Sequence, residues 1–171
     1  MAENYGRIRF MKKIAYIGVL ASLACICSYI ETLIPLPISI PGVKLGLANI
    51  VVLFALFKMD VLSAGAISFV RIMITGFLFG NPGSMAYSLG GAVLSIVVMY
   101  LISKKLHIIT VSIVGSVMHI IGQLVVAGAM VGYAFVLSYL PWLMLSAIIT
   151  GAIIGMIADI LIKRIVIDTN H

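Results

Sequence analysis

The chain has 171 residues, of which 63% are hydrophobic and 9% charged, with a formal net charge of +6. Its mean hydropathy of +1.27 excludes a water-soluble domain, because a chain of this length cannot hide that much apolar surface from water. The cations sit at the ends of apolar runs, where a bilayer accounts for them, and not in a basic patch interleaved with aromatics, so nucleic acid is excluded as a partner.

Residues 1–13 are polar and basic and read as a cytoplasmic N-terminal segment. The first apolar run, 14–34, is long enough to cross about 30 Å of hydrocarbon. No cleavage site of small residues closes it, so it reads as a retained helix and not a signal peptide. It carries Cys25 and Cys27, whose spacing fits neither a zinc site nor a CxxC redox pair. It also carries Gly18 and Ser22, and Ala21 and Cys25, at the small-xxx-small spacing that lets helices approach closely. Glu31 falls near its far end.

The next stretch, "LIPLPISIPGVKLGLANI" (33–50), interrupts the apolar pattern. Pro35, Pro37 and Pro41 cannot continue a helix and stiffen an extended loop. Gly42 permits a tight turn, and Lys44 and Asn49 follow it. A second helix is expected over about 44–57, a third over 61–79, a fourth over 84–102, a fifth over 108–132 and a sixth over 139–162. Breaks fall at Lys58-Met59-Asp60, at the strong turn signal Asn81-Pro82-Gly83, at Lys104-Lys105 and between Gly132 and Tyr139. The expected fold is an all-α integral membrane protein with six transmembrane helices, forming a single domain over 14–164, with 165–171 as a cytoplasmic tail.

With the N-terminus inside, the inner segments hold Arg7, Arg9, Lys12, Lys13, Lys58, Lys104, Lys105, Lys163 and Arg164, and the outer loops hold only Lys44. Nine cations against one is a strong positive-inside pattern. Both termini are therefore expected to be cytoplasmic, in a multi-pass protein of a bacterial cell membrane.

On this plan Glu31, Lys44, Asn49, Arg71, Tyr87, Ser88, His119 and Gln123 all fall in the outer half. Intramembrane polar and charged groups are expensive and normally face an interior or a watery cavity. Together they suggest an outward-facing pocket for a small, anionic or polar-headed molecule. Arg71 reads either as a ligand contact or as the structural partner of Glu31. Lys44 reads as a rim charge or a ligand. His119 and Gln123, one helical turn apart, read as substrate contacts or as interhelical hydrogen bonds. Gly151 and Gly155 form a GxxxG on the sixth helix, read as packing within the fold.

No aspartate-rich magnesium motif, no P-loop GxxxxGK[ST] and no His/Cys metal-ligand spacing is present in the sequence. No covalent chemistry, metal or cofactor is therefore expected, and any energy for transport must come from a partner or an ion gradient.

The segments "IPLPISIPGVKLGLANIVVLFAL", "SFVRIMITGFLFGNPGSMAYSLGGAVLS" and "SVMHIIGQLVVA" resemble the Gx transporter family, whose members are often labelled heptaprenyl diphosphate synthase component I. The resemblance spans about 14–160. The six-helix plan also resembles the substrate-binding S components of energy-coupling factor (ECF) vitamin transporters. That resemblance implies a small-molecule substrate bound near the outer face, with a scaffold protein and an ATPase pair supplying energy. In S components the first helix offers Ala-x-x-x-Ala to the scaffold. Here Gly18, Ala21, Ser22 and Cys25 keep small residues without the two alanines. The alternative implied by the family label is a non-catalytic membrane accessory of isoprenoid or quinone metabolism. A purely structural anchor is a third reading.

Overall fold

The structure is a computed structural model that describes residues 2–33, 46–133, 137–138 and 140–165. The described residues form six helices: α1 (Ala2–Leu33), α2 (Leu47–Lys58), α3 (Val61–Phe79), α4 (Pro82–Ser103), α5 (Ile108–Val131) and α6 (Leu140–Arg164). Five of them are long and apolar enough to cross a membrane. Large apolar side chains such as Val19, Leu62, Phe77, Val93, Leu101 and Trp142 stand exposed around the bundle, a surface suited to lipid and unsuited to water. The chain is an all-helical, multi-pass membrane protein.

Two expectations need correction. The helix expected over 14–34 begins at Ala2, so the basic segment is not a separate element but the first turns of α1. At 1.5 Å per residue its 32 residues span about 48 Å, well beyond the hydrocarbon thickness. The second correction concerns the count of crossings. The 12 residues of α2 span about 18 Å, too short to cross alone, so among the described residues there are six helices, of which five are long enough to be full-length spans.

α2 instead forms the centre of the bundle. Ala48 and the continuous run Val51–Leu56 are all buried. A helix apolar on every side belongs in an interior, and α2 packs against α1, α3 and α6.

Interactions at both ends fix the helix directions. At one end Lys13 Nζ lies 2.7 Å from Asp60 Oδ2, tying α1 to the start of α3. At the other, the rings of Tyr29 and Phe79 meet in a tilted contact with centroids 5.2 Å apart. Asp60 caps α3, accepting hydrogen bonds from the Ser63 amide at 2.8 Å and its hydroxyl at 3.1 Å. Partial burial pushes the Asp60 carboxyl up, but the hydrogen bonds from Lys13 and Ser63 and the Lys13 charge outweigh it and hold it below its ordinary value. Asn81 caps α4 in a reciprocal capping box with Ser84, and Pro82 takes the first helical position. That chemistry moves the start of α4 two residues ahead of the expected Ser84.

α4, α5 and α6 pack through small residues. A Cβ on Gly122 would lie 2.5 Å from the Gly90 carbonyl oxygen and 2.9 Å from Gly91 Cα. Cβ atoms on Gly151 and Gly155 would lie 2.8 Å from the Cα atoms of Ile113 and Ile109. The GxxxG on α6 therefore seats α5, as packing within the fold requires. Successive helices run antiparallel, so Lys104, Lys105, Lys163 and Arg164 gather at the end marked by the Lys13–Asp60 pair.

The α4–α5 contact is backbone against backbone, so it cannot yield by moving a side chain. Gly122→Val is expected to cost at least about 1–3 kcal/mol, the usual range for overpacking, read as a lower Tm in detergent. Gly18, where an added Cβ meets nothing within 4 Å, serves as the control. Gly18→Ala should leave Tm unchanged or raise it. Equal tolerance at both positions would contradict the packing.

Candidate functional site

The site begins with the way the chain enters α2. Gly46 has φ 78°, a left-handed conformation that favours glycine. Its carbonyl accepts the Asn49 amide at 2.8 Å. Gly46 has no side chain to cap the helix, and among the described residues no side chain near it in sequence takes its place. The Glu31 carboxylate, from α1, accepts the hydrogen bond of the Leu47 amide. A carboxylate at a helix N-terminus satisfies an orphan donor and meets the positive end of the helix dipole.

Beside this cap lies a cavity of about 50 Å³, walled by Glu31, Gly46, Asn49, Arg71, Ile72, Thr75, Ser88, His119, Ile120 and Gln123. That is room for roughly three or four water-sized groups. The wall draws on α1 through α5. Arg71 is 8% exposed, and its buried Nε has no hydrogen-bond partner among the described residues. The Glu31 carboxylate lies within electrostatic range of it. Thr75, one turn along α3, donates its hydroxyl to the Arg71 carbonyl at 2.8 Å.

The glycines of α4 set the position of the α5 groups. A Cβ on Gly91 would stand 2.7 Å from the His119 carbonyl oxygen and 2.8 Å from Gln123 Cγ. Only a residue without a side chain lets α5 bring His119 and Gln123 so close to α4. The Ser-Leu-Gly-Gly run thus contributes Ser88 to the wall and, through Gly91, the space for its neighbours.

Asn49 and His119 also line a second, deeper cavity of about 20 Å³ with Ser68, Ser95, Ser112 and Ser116. Ser95 Oγ donates to the Gly115 carbonyl at 2.7 Å, bridging α4 and α5. The polar character of the site therefore continues into the bundle.

Of the eight candidate residues, Glu31, Asn49, Arg71, Ser88, His119 and Gln123 share the first cavity. Tyr87 is not in its wall; its hydroxyl lies near Gly83, in the first turn of α4. Adjacent residues on a helix point about 100° apart, so Ser88 and Tyr87 cannot both face the cavity squarely. Lys44, with Pro35, Pro37, Pro41 and Gly42, lies outside the described residues. Thr75 and Gly46 were not among the candidates. Thr75 was findable as the residue four after Arg71, on the same helix face.

The small residues of α1 do not form one exposed face. Ala21 is buried at 5% exposure, Cys25 is half-buried, and Gly18 and Ser22 are exposed, the Ser22 hydroxyl donating to the Gly18 carbonyl at 2.9 Å. The α1 surface open to a partner excludes Ala21, which packs into the core because it falls on the stripe shared with Ala24 and Ser28.

Glu31 and Arg71 should behave as a coupled pair. Removing one partner of a buried charge pair typically costs about 3–5 kcal/mol. Arg71→Ala and Glu31→Ala should each lower thermal stability in detergent, and the double variant should lose less than the sum. Strictly additive losses would contradict the coupling.

Residues 20–161 match the family model described as heptaprenyl diphosphate synthase component I. The match contains every residue of the first cavity's wall. No curated protein and no solved structure matches the chain. The family model covers well over half of the 171 residues, and the chain belongs to the heptaprenyl diphosphate synthase component I family.

Proposed function

We propose that the protein is a membrane substrate-capture subunit, similar in role to an S component, that takes a small anionic or polar-headed molecule into an outward-facing pocket. The observation that carries this reading is the convergence of seven polar side chains, from five helices, on one cavity that lies toward the Glu31 end of α1, away from the Lys13–Asp60 pair. Polar groups in a membrane interior need a reason to be there. The site is rich in hydrogen-bond donors, with Arg71, His119, Gln123, Asn49, Thr75 and Ser88 set against one carboxylate. The positive-inside pattern supports placing the basic end in the cytoplasm of a bacterial cell and the cavity toward the outside.

In this reading the protein performs no covalent chemistry, and partner proteins, an ECF-type scaffold and an ATPase pair, supply the energy. The carboxylates of the membrane domain already have structural work: Glu31 caps α2, Asp60 caps α3 and Asp159 pairs with Lys163 at 2.6 Å. The family's description favours a second reading, a non-catalytic membrane accessory that holds a prenyl diphosphate or a quinone precursor.

Mass spectrometry of gently purified protein separates these. The capture reading expects a small polar molecule to co-purify with the wild type and to be lost from Arg71→Gln, with a scaffold and ATPase pair recovered from mild extracts. A bound prenyl diphosphate would favour the accessory role. A wild type that retains no ligand, or an Arg71→Gln protein that retains it equally, would overturn the assignment of the cavity.

A further inference from the structure

The cavity already holds an anion, and it belongs to the chain. The Glu31 carboxylate sits at the α2 N-terminus, bound to the Leu47 amide and within electrostatic range of Arg71. A helix N-terminus facing a buried guanidinium is an anion site by its chemistry. The site is not fully used, because Arg71, 8% exposed, keeps a buried Nε without a hydrogen-bond partner among the described residues. Nothing at Gly46 could cap α2 locally, since its residue has no side chain and its φ of 78° disfavours one.

We propose that Glu31 is a resident stand-in for the anionic group of the ligand, and that a carboxylate or phosphate entering the cavity takes over the Leu47 amide and Arg71 while the Glu31 side chain withdraws. This rests on the capture reading given above and deepens it by naming the group that is recognised and what it replaces.

Charge balance explains the exchange. With Glu31 in place, the Arg71 charge is offset, and a second anion in the same cavity would leave an uncompensated negative charge away from water, which is costly. With Glu31 withdrawn, the incoming anion meets Arg71 and the positive end of α2 alone. Among the described residues, the charged and titratable groups around the Glu31–Arg71 pair are His119 on α5, which shares their cavity, Cys27 on α1 beside Glu31 and Cys25 on α1 beside Arg71. Before any ligand arrives, the resident carboxylate keeps α2 capped and the buried arginine compensated. The empty site is thereby kept folded, and weak anions are excluded by competition.

Glu31→Gln tests this, because the amide oxygen still accepts from Leu47 but carries no charge. Sodium acetate and inorganic phosphate serve as probes, against chloride at matched ionic strength, with binding read by calorimetry and Tm in detergent. Glu31→Gln should lose stability without a probe and regain it with one. Its affinity for the fitting anion should be at least tenfold tighter than the wild type's. Preference for acetate would identify a carboxylate ligand, and preference for phosphate a phosphate-bearing one. Arg71→Gln and the double variant should not respond.

A Glu31→Gln protein that binds no better than the wild type would overturn the exchange. If Arg71→Gln alone then abolished binding, the capture reading would stand without it. Should Glu31→Gln fail to fold, infrared difference spectra of the wild type with isotope-labelled glutamate decide. The chain has only Glu3 and Glu31 to report. A shifted carboxylate band on adding the probe supports the exchange, and an unchanged band overturns it.

Discussion

The arrangement depends on how α2 begins. Its first amide emerges inside the bundle, and a backbone donor left unsatisfied in a membrane interior costs several kcal/mol. The helix has no cap of its own, because Gly46 must turn left-handed to bring the chain in. Glu31 from α1 supplies the acceptor. That one hydrogen bond ties the first two helices together and places a carboxylate deep in the protein. The carboxylate in turn gives Arg71 a compensating charge across the same cavity. The cap, the buried arginine and the cavity are thus parts of one arrangement.

The opposite wall of the cavity depends on the absence of side chains. Gly90, Gly91 and Gly122 let α4 and α5 meet backbone to backbone, and Gly151 and Gly155 do the same for α5 and α6. In a bilayer, apolar side chains gain little by leaving lipid for protein, so close packing and hydrogen bonds hold helices together. Here the close approach also has a use, since it brings His119 and Gln123 to the cavity from α5 and leaves Ser88 exposed to it from α4. Packing residues and site residues alternate along the same two helices.

Much of this was legible in the sequence. The apolar runs marked α3 from Val61 to Phe79 without error, and α4, α5 and α6 within two residues at either end. Intramembrane polarity pointed to six residues that line the cavity, because a charged or amide side chain inside a membrane has few places to go. The partner of Leu47 was not legible. A carboxylate 16 residues away in another helix leaves no local pattern. The start of α1 was missed because charges end an apolar run without ending a helix: Arg7, Arg9, Lys12 and Lys13 are all good helix formers. The length of α2 was overestimated because hydropathy cannot tell a buried half-length helix from the end of a span. That Ala21 faces the core and Tyr87 stands outside the cavity wall was not legible, since a residue type says little about which side of a helix faces the core.

The central claim is that the polar cavity opens to the outside of the cell, and directional labelling tests it most directly. In a background of Cys25→Ser and Cys27→Ser, a single cysteine at Gln123 is exposed to a membrane-impermeant thiol reagent on intact cells, with a cysteine at Ser103 as the counterpart at the basic end. The account predicts that Gln123→Cys is labelled from outside and that Ser103→Cys is labelled only after the membrane is opened. The reverse pattern, or a Gln123→Cys protein that reacts from neither side, would contradict it.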